Sequence, residues 1–279
     1  MKSAHKLQFG TPSFRRISIG LVVFFVITST ILVTAALHYN RRSLLAGVRN
    51  SLQVILTTTA EGLRIWMKDQ KYFISQLGKN KFLVENVQQL LEQQKSSRPL
   101  QTKQKLITIR QFLNEYQDND EQLGFFILNP DLINIAADQN HDIGLPSFLN
   151  KTHPDLLARV FQGETVFIPP IHLRGTPFSD PSIFFAAPVI DQTETIIAVI
   201  ALRLDPTKNF SRVIQLGRLG QSGETYAFNE QGQLLSESRF TRQLQEIGLL
   251  GADEKAILNI RITDPGRNIL TQQPPQPLT

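Results

Sequence analysis

Residues 183–204 read IFFAAPVIDQTETIIAVIALRL, two apolar runs parted by Asp191-Gln192-Thr193. Aromatic and β-branched side chains dominate both runs, and the polar trio supplies a turn. The spacing therefore predicts antiparallel strands over 183–189 and 195–204. A third strand is expected around 166–168. Ahead of it PDLLARVFQG, residues 154–163, predicts a short helix with Thr152 as a candidate cap and Gly163 as its stop. Earlier still, FFIL at 125–128 and INIA at 133–136 flank Asn129-Pro130-Asp131, which marks a hairpin. A long helix, a hairpin, a small helix and a three-strand run, in that order, predict an α+β fold. Helices would lie on one side of a five-stranded antiparallel sheet.

The pattern extends both ways from this sheet. Residues 103–116 predict one helix. Residues 41–94, free of proline, predict a longer one with an apolar stripe of Leu45, Val48, Leu52, Ile55, Leu56, Leu63, Trp66, Phe73 and Leu77. Gly62 and Gly78 weaken it locally. The stripe could pair with a second copy as a homodimer or lie against the following domain; three clean heptads are not present. After Asp205-Pro206 the pattern restarts. GETYAF at 223–228 reads as a strand, Asn229-Glu230-Gln231-Gly232 as a turn, and 233–236 as the partner strand. This repeats the earlier hairpin and predicts the opening of a second module of the same kind. The tail TQQPPQPLT, 271–279, has the composition of a disordered segment.

Residues 17–37, ISIGLVVFFVITSTILVTAAL, carry no charge. As a helix the run rises about 30 Å, the thickness of the bilayer hydrocarbon. Its hydroxyls (Thr28, Ser29, Thr30, Thr34) can return to carbonyls of the preceding turn. The run exceeds the about 7–15 residues of a signal-peptide core, which favours an uncleaved anchor over cleavage after Ala36. Lys2, Lys6, Arg15 and Arg16 precede it; Arg41, Arg42 and Arg49 follow before the first acid, Glu61. That bias favours a cytoplasmic N-terminus over residues 1–16. One pass through the inner (plasma) membrane, in contact with its lipid bilayer, and an extracytoplasmic remainder are expected.

Charge supports the same topology. The 279 residues hold 29 Lys+Arg and 24 Asp+Glu, a formal net charge of +5. Six of those cations and no acid fall in residues 1–42, so residues 43–279 carry 23 cations against 24 acids. Cations that flank one apolar run do not track a phosphate backbone, which excludes nucleic acid as a partner. The absence of cysteine excludes disulfides, a Cys-ligated zinc and thiol catalysis.

Together these features resemble the double Cache family of extracytoplasmic sensor domains, found in bacterial receptor histidine kinases, chemoreceptors and cyclase receptors. Three features carry the resemblance. One is the layout of span, long helix, distal sheet and proximal sheet. The second is Gly220-Gln221-Ser222-Gly223-Glu224-Thr225-Tyr226-Ala227-Phe228-Asn229 with Gly232. The third is Ala186-Ala187-Pro188-Val189-Ile190-Asp191. The resemblance implies a stalk helix over 40–95 and a PAS-like membrane-distal module over 96–210. An incomplete membrane-proximal module would follow over 211–270, the chain being the N-terminal portion of such a receptor. The Arg-x-Trp-Tyr signature of the amino-acid-binding members is not found: Arg174 is followed by Gly175-Thr176-Pro177, and the only tryptophan is Trp66.

In a PAS-like sheet the ligand lies between one face and the connections after the hairpin, here about residues 140–180. That segment holds Phe167, His172, Arg174, Phe178 and Asp180, apolar walls with few polar groups, as small-molecule sites require. Arg174 could fork onto a carboxylate, or pair with Asp180 as solvated loop charges. Asp205 is similarly placed, and a turn before Pro206 explains it equally well. Asp138, His141 and Asp142 could present metal ligands, and a polar loop explains them as well. Gly217-x-x-Gly220-x-x-Gly223 lacks the strand-then-helix setting of a phosphate loop and reads as linker. No nucleophile elbow or His/Ser/Asp arrangement is present, so no enzymatic activity and no cofactor are expected. The sequence thus predicts a membrane-anchored sensory module for a small molecule of unknown identity. Two alternatives stay open: an anchored periplasmic protein-interaction domain without signalling, and a secreted hydrolase released by cleavage.

Overall fold

A computed structural model describes residues 12–96, 99–115, 121–172, 180–218, 220 and 223–263. Five strands, β1 (Gln122–Leu128), β2 (Asn134–Ala137), β3 (Val166–Ile171), β4 (Ser182–Ile190) and β5 (Ile196–Leu204), form one sheet. Its order is β2-β1-β5-β4-β3, and every pairing is antiparallel. The five-stranded antiparallel sheet expected from 183–204 and its surroundings is therefore present. Asp191 closes the β4–β5 turn with one carboxylate oxygen, which accepts from the amides of Thr193 (2.8 Å) and Thr195 (2.9 Å). Hydrogen bonding to the charged form, chiefly from the Thr193 hydroxyl, lowers its pKa.

Both faces of the sheet are covered. Side chains alternate along β4 and β5, so Ile183, Phe185, Ala187, Ile200 and Leu202 face one core. Helices α1 (Pro12–Gly78), α2 (Lys81–Ser96) and α3 (Pro99–Glu115) supply Ile74, Leu77, Leu83, Val87, Ile109 and Leu113 to it. Phe184, Ala186, Val199 and Ala201 face a second core closed by α4 (Phe148–Thr152) and α5 (Pro154–Phe161), through Leu149, Leu157 and Val160. Burial on both faces is why these central strands read as unbroken apolar runs. The expectation of helices on one side is corrected: α4 and α5 lie opposite α1, α2 and α3. Helix α5 starts at Pro154 as expected, but His153 holds the N-cap position, without a side-chain hydrogen bond, and the Thr152 hydroxyl turns back onto the carbonyl of Phe148 within α4.

The expected helix over 41–94 is two helices. Its first part belongs to α1, which begins at Pro12 and stops at Gly78, and its second part is α2. A Cβ at Gly78 would sit 2.2 Å from the carbonyl oxygen of Pro188 on β4, so only glycine lets the backbones approach this closely. Asn80 then starts α2, its Oδ1 accepting from the amides of Phe82 (3.0 Å) and Leu83 (3.3 Å). Residues 1–55 and 56–279 form two compact units. In the first, α1 carries a window with mean hydropathy of 2.4 and none of it buried, long and apolar enough to cross a membrane. In the second, Trp66 of α1 packs 5.5 Å from the ring of Phe185 and 5.9 Å from that of Phe210. The upper part of the stripe thus lies on the sheet's own core.

Beyond β5 the chain forms α6 (Asn209–Gln215), a helix too short to show periodicity in the sequence. Phe210 and Ile214, one turn apart, bury it against the first core. Residues 223–236 fold back as expected at the turn. The amides of Gln231 and Gln233 donate to Asn229 Oδ1, and Gly232 takes φ +77°. GETYAF, however, forms no strand. Phe228 and Leu234 make an isolated bridge, and Leu235 donates to the Ala227 carbonyl (2.8 Å). Without a longer ladder Tyr226 and Phe228 stay exposed. Helix α7 (Thr241–Glu246) and the cluster of Leu234, Leu250 and Ala256 complete this part.

Candidate functional site

The connection after β2 folds back on that strand. The amide of Asn134 donates to the Leu145 carbonyl (3.0 Å), and its side-chain Nδ2 donates to the carbonyl of Asp142 (3.1 Å). A 3₁₀ turn, Asn140–Asp142, sits inside this loop. Arg110 of α3 holds the turn by donating to the Ala137 carbonyl and Asn140 Oδ1, both at 2.8 Å. The loop ends at Ser147, whose hydroxyl accepts from the Leu149 amide and caps α4.

Between this loop, α4, the end of β3 and the Asn229–Gln233 turn lies a cavity of about 690 Å³. Leu145, Pro146, Phe148, Pro170, Ile171 and Leu258 make its apolar wall; Asn134, Asp142, Lys151, His172, Asn229 and Gln233 are its polar groups. Three of these carry buried atoms that find no hydrogen-bond partner among the described residues: Asn134 Oδ1, Asp142 Oδ2 and His172 Nε2. Native buried polar atoms are almost always paired, so three orphans among the residues that line one cavity single it out as the candidate site. Burial raises the pKa of Asp142; His141, 3.5 Å away, opposes this, and nearby Asp138 adds to it. No group of three metal-binding side chains occurs among the described residues.

The sequence-derived residues fall in different places. His172 lines the cavity. Phe167 packs into the other core, 5.1 Å from Phe185. The Asp180 side chain is 59% exposed and lies 3.6 Å from Lys255. Asp205 Oδ1 accepts from the Thr207 amide (2.8 Å) and hydroxyl (2.7 Å), the turn that the Asp-Pro pair implied. Arg174 and Phe178 lie outside the described residues.

Sequence reasoning missed Asn134, Lys151, Asn229 and Gln233, which single themselves out by no motif. It also missed Arg203. This side chain is 5% exposed and donates from Nε to the Ser182 hydroxyl at 3.0 Å. Burial lowers its pKa, and Asp138, Asp180, Asp142 and Asp205 oppose that shift. Arg203 faces the α4–α5 side of β5, because Leu202 and Leu204 face the other core. The signal was present: one cation in an otherwise apolar strand requires buried counter-charges.

The sequence matches no family model, and no curated protein matches it. Among solved structures, the chain is similar to the sensor domain of the histidine kinase DctB of Vibrio cholerae. Identity there is 17%, over 74% of this chain and 75% of that one, with a TM-score of 0.47. It is also similar to a domain of a sensory box/GGDEF family protein from Vibrio parahaemolyticus, at 15% identity over 70% of this chain and 74% of that one, TM-score 0.46. A third likeness is the ligand-binding domain of the Campylobacter jejuni chemoreceptor Tlp3, at 13% identity over 73% and 78%, TM-score 0.37. The strand order β2-β1-β5-β4-β3 behind a long N-terminal helix is the PAS-like arrangement.

Proposed function

We propose that this chain is the extracytoplasmic, ligand-sensing part of a single-pass, membrane-anchored receptor. A small molecule binds the cavity beside β2 and α4. Residues 17–37 anchor the chain in the inner membrane, residues 96–210 form the distal sensing module, and residues 211–270 open a proximal one. The observation that carries this reading is that three residues with an unpartnered buried polar atom among the described residues, Asn134, Asp142 and His172, line one cavity with an apolar wall. Such a site takes a compact molecule with hydrogen-bond donors toward Asn134 and Asp142. Arg174 and Phe178, which follow His172 in the chain, are assigned to the same ligand. Occupancy would close the loop and α4 over the ligand. The sheet would pass the change to α1, which packs on its other face through Trp66.

The test is a thermal-unfolding screen of the full chain in detergent micelles against amino acids, carboxylates, amines and purines. A ligand at 100 times its dissociation constant should add about 2.7 kcal/mol of stability. The Asp142→Asn variant should lose that gain. A folded sample that gains stability from none of these classes refutes the proposal.

A further inference from the structure

The buried carboxylate of Glu121 has no role in the cavity described above. Glu121 precedes β1 and is 4% exposed. Its Oε2 accepts from the Asn209 side chain at 2.6 Å, and its Oε1 is buried without a partner among the described residues. It lines a separate cavity of about 290 Å³ between α1 and the sheet, with Asp69, Gln70, Phe73, Gln122, Leu202 and Leu204. The walls made by Leu202 and Phe73 belong to the α1-side core, whereas Phe148 and Ile171 of the first cavity belong to the other.

We propose that this cavity is a second binding site, for a primary alkylamine that ties α1 to the sheet. An ammonium has three donors and no acceptor. Glu121, Asp69 and the Gln70 and Gln122 carboxamides line the cavity and supply its acceptors, and no Lys, Arg or His lines it among the described residues. Phe73, Leu202 and Leu204 are suited to a hydrocarbon stem, not to a hydrated ion. A hard metal ion wants six or more oxygens. The volume is roughly ten times the share of one liquid water, enough for a five-carbon chain. Among the described residues, Asp205 after β5 is the charged group that acts on Glu121, the neutral Asn209 of α6 is its hydrogen-bond partner, and Asp69 of α1 lines the same cavity. An ionised Glu121 thus has carboxylates around it and an amide as its partner. Binding is therefore expected to tighten as pH rises through the titration of Glu121, while the amine itself stays protonated.

The test is isothermal titration of n-pentylamine into the full chain in detergent micelles, with n-pentanol and calcium chloride as parallel titrants. The amine should bind, with pentanol about tenfold weaker or worse and calcium unable to displace it. Glu121→Gln, which keeps the shape, should weaken amine binding about tenfold or more. Asp69→Asn, at an exposed position, should weaken it in the same direction without affecting folding. Asp142→Asn should leave the Glu121-dependent amine binding unchanged, while any amine bound in the first cavity is lost, so failure here and failure of the first cavity as a ligand site are separate results. Absence of amine binding to folded protein, equal affinity in the Glu121→Gln variant, or displacement by calcium overturns the proposal.

Discussion

Replacing Gly124 with alanine should destabilise the second unit through two separable costs. Gly124 sits where the β1–β5 register shifts, at φ +151°, opposite Arg203. An L side chain at this φ is strained by about 1–3 kcal/mol. A Cβ there would also lie 2.6 Å from the carboxylate of Asp138, which would have to shift, at about 1–3 kcal/mol more. The expected total is about 4 kcal/mol. Asp138→Ala removes the obstructing carboxylate, so Gly124→Ala should cost only the strain, about 2 kcal/mol, in that background. Asp138→Ala is itself destabilising, because it takes one carboxylate from beside the buried Arg203; the double-mutant cycle separates that cost from the coupling. The assay is urea unfolding of the full chain in nonionic micelles, followed by Trp66 emission. Trp66 is the only tryptophan and packs against Phe185 and Phe210, so its emission reports the core that unfolds. A Gly124→Ala cost below about 1 kcal/mol, or no coupling with Asp138, refutes this reasoning.

Two further outcomes are expected. Burial raises the pKa of Glu121 above its unfolded value, so its contribution to stability is present below the ordinary glutamate range and is lost as pH rises through the raised native value. Glu121→Gln should therefore be more stable than the parent at neutral pH, with the difference vanishing in acid. A melting-temperature profile against pH checks this, and a variant less stable at every pH refutes it. Asn80→Ala removes the side chain that accepts from Phe82 and Leu83 at the start of α2, and should cost about 1 kcal/mol in urea unfolding. No change in midpoint would show that the α1–α2 break needs no cap.

Much of the fold was legible because it is local. The runs 125–128, 133–136, 183–189 and 195–204 coincide with β1, β2, β4 and β5, and the Asp191 turn closes where its side chain can accept from the residues two and four positions later. Failures came where a partner far along the chain decided the matter. Helix α1 ends at Gly78, where the Pro188 carbonyl lies so close that no side chain fits. GETYAF has strand composition, yet little of it finds a ladder partner among the described residues. Of the six residues put forward for the ligand, His172 reaches the cavity, while Phe167 turns to the opposite core, since neighbours in a strand point to opposite faces.

By itself, the sequence determined what periodicity and charge spacing encode. These are an uncharged run long enough to span a bilayer, a proline-free helical stretch after it, and strands in the order of a PAS-like sheet, each set by contacts among near neighbours. Only the tertiary structure decided which polar groups meet. Asn134, Asp142, His172 and Gln233 are about 100 residues apart at the extremes; β2 and β3 are opposite edges of the sheet, and the loop after β2 with α4 lies over the face between them and lines the cavity with the Asn229–Gln233 turn. Glu121 looks like an ordinary surface charge in the sequence, and Arg203 departs from one only by its apolar neighbours. The sheet and its helices remove both from water, and that desolvation makes them chemically informative.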